Sequence, residues 1–133
     1  LKDRAYHIVS GGTDNHLLLI DTRKSKNLPG KRVAKALERV GLICNFNTVP
    51  NASAKQKPLA PDGIRMGTPA LTTRGMGEGE MKKIAEFIDR ALSNIKTGKV
   101  KKGLSTWVDE GKAQELNSEI SDFASAYPLF SYE

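Results

Sequence analysis

From Met81 to Ile95 the apolar side chains Met81, Ile84, Ala85, Ile88, Ala91, Leu92 and Ile95 recur at intervals of three and four. That period lines them up along one stripe of a helix. Glu78 and Glu80 stand at its start, where the helix dipole favours acids. A helix that is apolar on one side only must bury that side against a second layer. The rest of the chain has to supply this layer, and it does so with short strands. Its longest purely apolar run, Leu17-Leu18-Leu19-Ile20, has four residues, whereas a membrane span needs about 20. No apolar stretch near Leu1 resembles a signal peptide. The expectation is a cytoplasmic domain with no membrane partner.

Tyr6-His7-Ile8-Val9 and the run His16 to Asp21 read as two strands. Gly11-Gly12-Thr13-Asp14-Asn15 between them suits a turn, so a hairpin is predicted. Pro29 opens a helix that places Val33, Ala36, Leu37 and Val40 on one face, and Gly41 stops it. Leu42 to Phe46 reads as a third strand, residues 51–63 as a loop, and Ile64-Arg65-Met66 as a fourth strand. Residues 67–75 look too rich in Gly, Pro and Thr to be regular. Residues 96–103 read as a hinge, followed by a last helix with Leu116, Ile120, Phe123 and Tyr127 on one stripe. With 133 residues, 38% hydrophobic and 27% charged, the chain suits one ordinary core over 1–133. The order of elements predicts an α+β two-layer sandwich. Its small mixed or antiparallel sheet carries helices on one face and leaves the other needing cover or water.

The net charge of +6 is concentrated. Residues 23–39 hold seven Lys or Arg against Glu38, and residues 96–102 add four lysines. Two such stretches could follow a phosphate backbone, which keeps open a basic nucleic-acid-binding or interaction module. No aromatic residue is interleaved to stack on bases, so the preferred reading is solvated surface with no nucleic-acid partner.

Chemistry-bearing motifs are scarce. A single cysteine, Cys44, excludes an intrachain disulfide, and two histidines make a Cys/His zinc site unexpected. Cys44 lies in an apolar run and reads as core, and His7 and His16 read as satisfied structural residues. No nucleophile elbow, paired-cysteine motif or phosphate-binding glycine loop is present. Arg65 stands out as a guanidinium on an apolar strand between an Asp-Gly turn and a Gly-Thr-Pro-Ala loop. Its planar fork fits a carboxylate or a phosphate. Spacing alone leaves open whether the anion is a ligand or a carboxylate of the protein.

Three segments carry a family likeness: Ser10 to Leu19 (SGGTDNHLLL), Asn45 to Pro50 (NFNTVP) and Gly63 to Gly75 (GIRMGTPALTTRG). In this order they resemble the C-terminal part of serine hydroxymethyltransferase (glycine hydroxymethyltransferase), and the likeness runs from about Ala5 to Phe130. The resemblance implies a pyridoxal-phosphate transferase of the aspartate-aminotransferase fold type. Such an enzyme interconverts serine and glycine and moves the one-carbon unit onto tetrahydrofolate. It further implies a small C-terminal domain packed on a large cofactor-binding domain, in a homo-oligomer. Arg65 matches the family's arginine for the substrate carboxylate, and Asn47 an asparagine near the folate pterin. Thr68 and Arg74 are expected to hold the shape of their loop. The family's cofactor-bearing lysine motif has no counterpart here. The chain is therefore expected to be a fragment with no catalytic or cofactor-binding residue of its own, inactive alone.

Overall fold

The computed structural model describes residues 1–50, 61–100 and 103–130, without the side chains of 99, 100 and 103–107. Four strands, β1 (His7–Ile8), β2 (Leu17–Asp21), β3 (Asn45–Asn47) and β4 (Gly63–Gly67), form an antiparallel sheet in the order β1-β2-β4-β3. The predicted hairpin is β1 and β2, with Ile8 opposite Ile20. The third strand starts later than the apolar run suggests. Gly41, at φ 85°, ends the preceding helix. The Leu42 N–H then donates back to the Leu37 carbonyl at 3.0 Å, so the chain reaches the sheet only at Asn45.

The helices are α1 (Thr22–Lys26), α2 (Gly30–Arg39), α3 (Pro69–Thr73), α4 (Glu78–Ser93) and α5 (Glu110–Ser125). Asp21 caps α1 by accepting from the Lys24 N–H at 2.8 Å, and Asp109 does the same for α5 from Lys112. α3 lies where irregular chain is expected. Pro69 is its first residue, a place where the missing N–H costs nothing, and Thr72 N–H closes the turn onto the Thr68 carbonyl at 2.9 Å.

Alternation sends Ile8, Leu18, Ile20, Ile64 and Met66 to one face of the sheet, where they pack into the core. Val33 and Leu37 of α2, Ile88 and Leu92 of α4, and Leu116 and Ile120 of α5 complete that core. Phe87, off the predicted stripe, is almost wholly buried and stacks edge-on to Phe123 with centroids 5.4 Å apart. The stripe on α4 is thus wider than a three/four reading draws it. The α+β two-layer fold is as expected, with an antiparallel sheet.

The hinge expected over 96–103 takes another form. β5 (Ile95–Val100) and β6 (Gly103–Val108) pair antiparallel, with Ile95 opposite Val108 and Thr97 opposite Thr106. The lysines and glycines of this stretch mask β-branched residues at pairing positions; residues 101–102 lie outside the described ones.

α2 meets β4 with no space between backbones. The Gly30 N–H donates to the Pro61 carbonyl at 2.7 Å. A Cβ on Gly30 would stand 2.0 Å from the Gly63 carbonyl oxygen. Beside this junction Arg23 pairs with the buried Asp62 carboxylate at 3.1 Å, and the Thr22 hydroxyl lies 2.8 Å from the Asp62 carbonyl. The start of β4 is therefore held from three directions.

Candidate functional site

The helices cover one face of the sheet, and Arg65 belongs to the other. Within β4 it alternates with the core residues Ile64 and Met66. Register places Leu19 of β2 on one side of it and Asn45 of β3 on the other. Asn47, two residues along β3, stands opposite Gly63. Directly opposed residues share a face, so Arg65, Asn45 and Asn47 project to the same side. Arg65 and Asn45 are exposed and Asn47 is half-buried.

The surroundings of the arginines separate Arg65 from the others. Arg4 pairs with Asp89 at 3.3 Å, Arg23 with Asp62 at 3.1 Å, Arg90 with Glu119 at 2.6 Å, and Arg39 with Glu110. Arg74 donates through Nε to the Tyr127 carbonyl and through Nη2 to the Ala124 carbonyl. Arg65 has no hydrogen-bond or ion-pair partner among the described residues. Of the two anions left open by the sequence, a carboxylate of the described chain is not the one it holds.

Arg74 and Thr68 anchor the loop that follows β4. The Thr68 N–H donates to the His16 carbonyl at 3.1 Å, tying the loop to the start of β2. Arg74 ties its far end to the end of α5, adding a donor to the Ala124 carbonyl, which also accepts the Tyr127 N–H, and one to the Tyr127 carbonyl just beyond the helix. Nearby, Glu80 accepts from the Gly77 N–H at 2.8 Å and from the Tyr127 hydroxyl at 3.0 Å. These bonds, the backbone one first, hold its carboxyl below the usual range. The sequence marks Arg74 as loop-shaping; its reach to α5, some 50 residues away, had no local signal.

Other candidates fall as follows. Cys44 is half-buried, and burial pushes its thiol up to about 11, far from nucleophilic. His7 and His16 are exposed, with no side-chain partner among the described residues, and so are solvated and not satisfied inside. Among the described residues, one open depression of about 480 Å³ lies between the 9–15 loop and Leu17–Leu19, and another of about 330 Å³ lies among Arg32, Lys35, Arg39, Ile95, Val108 and Glu110. The second lies where basic α2 meets the ends of β5 and β6. Among the described residues no three His, Cys, Asp or Glu side chains gather as a metal site, and no helix is long and apolar enough to cross a membrane.

Residues 1–88, which contain the whole four-stranded sheet with Arg65 and Asn47, match the model of the serine hydroxymethyltransferase family. The chain belongs to that family. A serine hydroxymethyltransferase of Sorangium cellulosum (strain So ce56) is 37% identical over 128 residues, which is 96% of this chain and 27% of that protein. This serine hydroxymethyltransferase segment thus spans about a quarter of the length of the curated relative. The family match ends within α4, before β5, β6 and α5. The relative's similarity extends over nearly the full chain.

Proposed function

We propose that this chain is the small C-terminal domain of a pyridoxal-phosphate enzyme that interconverts serine and glycine and passes the hydroxymethyl carbon to tetrahydrofolate. The observation that carries the reading is Arg65, exposed and unpartnered among the described residues on the uncovered face of a central strand. Its fork grips the carboxylate of the amino-acid substrate through two parallel charge-assisted bonds, which fixes how the substrate is turned toward the reacting groups. Asn47, on the same face, contributes a polar contact to the pterin of the folate. The large cofactor-binding domain covers this face, within a cytoplasmic homo-oligomer.

The described residues of this chain do not fit the cofactor. A lysine that bears it must be partly desolvated and free of a carboxylate partner. Among the described lysines, Lys26 is held by Asp89 at 3.5 Å and Lys83 by Glu86 at 3.0 Å, while the others are exposed. The cofactor's seat is assigned to the large domain, and no activity is expected of this chain alone.

The test is Arg65→Lys in the full-length enzyme. Lysine keeps the charge and loses the fork. A charge-assisted pair is worth on the order of 1.5–3 kcal/mol, so serine and glycine affinity should fall at least about tenfold, and turnover further. Near-native values of both would overturn the reading.

A further inference from the structure

We infer that Asn45 is a specificity-determining residue for the substrate-carboxylate site, the neutral cross-strand neighbour that leaves Arg65 uncommitted. The inference deepens the function proposed above and rests on it. Asn45 is the residue directly opposite Arg65 in the β3–β4 register, and both are exposed on the same face. Opposed side chains on one face have Cβ atoms about 4.5–5.5 Å apart, within reach of each other's polar ends. On the other side of Arg65 register places Leu19, which is half-buried and carries no charge.

The row across the three strands is therefore Leu19, Arg65, Asn45. An acid at position 45 would meet the guanidinium at the spacing of a cross-strand ion pair. Off the sheet, Arg4, Arg23, Arg39 and Arg90 each face a carboxylate. Opposite Arg65 stands an amide. The amide carries no charge and makes no bond to the guanidinium in this structure, so the full positive charge stays available to an incoming carboxylate. Asn45 thus tunes affinity for amino-acid substrates through Arg65, and a carboxylate in its place would be an internal competitor.

The experiment uses the full-length enzyme with Asn45→Asp, Asn45→Gln and Arg65→Lys, and reads equilibrium glycine affinity, tetrahydrofolate affinity and the KM and kcat for serine. Asn45→Asp should weaken glycine and raise the serine KM by about fivefold or more, the worth of a cross-strand ion pair of about 1 kcal/mol. Tetrahydrofolate affinity and kcat should stay within about twofold, and Asn45→Gln should stay near wild type. Loss of folate and glycine affinity together would mean that the change merely disrupts β3, which also carries Asn47, and would overturn the proposal. Unchanged glycine affinity in Asn45→Asp, with Arg65→Lys impaired, would overturn it too while leaving the function intact. If Arg65→Lys itself left glycine binding unchanged, the proposed function would fail first.

Discussion

Eight residues separate Arg65 from Arg74, and the two arginines live in opposite worlds. Arg74 is saturated by the protein: its guanidinium is spent on two carbonyls at the end of α5, beside the Glu80–Tyr127 bond. Arg65 is held by nothing described, on a strand whose every other attachment is firm. The same side chain is structural mortar in one place and an unused binding group in the other. The lesson is that an arginine's role here follows from its neighbours' hydrogen-bonding needs, not from its motif, since both belong to one thirteen-residue segment.

The largest test of this contrast is Arg74→Ala. It strips two charge-assisted bonds that tie the loop after β4 to the end of α5, so the chain should lose about 2 kcal/mol of stability in urea unfolding. Loss of less than about 0.5 kcal/mol would show that water replaces the guanidinium and that the two arginines do not differ.

Acid should act on the same side of the molecule. Backbone donation from Gly77 lowers the Glu80 carboxyl, and an N–H from Lys112 lowers that of Asp109. Arg90 lowers the Glu119 carboxyl, and at Asp89 the bonds from Tyr6, Lys26 and Arg4 outweigh the upward push of burial. All four lie on α4, on α5 or at the cap of α5. Groups depressed in the folded state contribute above their unfolded values of about 4 and lose that contribution as pH falls through their folded values. Urea midpoints should therefore be level near neutrality and drop below about pH 4. A midpoint at pH 3 equal to that at pH 7 would remove these bonds from the account.

The smallest expected effect belongs to Arg65→Ala, which should shift stability by no more than about 0.5 kcal/mol, as for other exposed, unpartnered positions. A loss as large as that of Arg74→Ala would make Arg65 a structural residue and erase the comparison.

Much of this was legible in the chain. The stripes of α2, α4 and α5 and the β1–β2 hairpin follow from periodicity, because one-sided burial imposes it. The α+β class follows from their order. What escaped depends on partners far away in sequence. Phe87 is buried because Phe123 comes to meet it, and Thr97 is a strand residue because Thr106 stands opposite. The short α3 escaped because its proline and threonines are turn formers until Thr68 and Thr72 bond to each other. At the site, Arg65 and Asn47 were named by family likeness and the strand alternation of Ile64-Arg65-Met66. Asn45 was passed over because the strand was drawn to end at Phe46, which hides the alternation of Asn45 with Asn47.

The contact of Gly30 with Gly63 restricts how this lineage can vary. A methyl on Gly30 would fall 2.0 Å from a carbonyl oxygen, and one on Gly63 would fall 2.4 Å from the Val49 side chain. Neither glycine contributes a side-chain atom to the core, yet alanine at Gly30 would prise α2 from the strand that carries Arg65, and alanine at Gly63 would press on Val49 and on the Ile20 carbonyl. In a saturation library these two positions should be the blank columns, and no side-chain change elsewhere can restore a substituted Gly30, because the obstacle there is backbone.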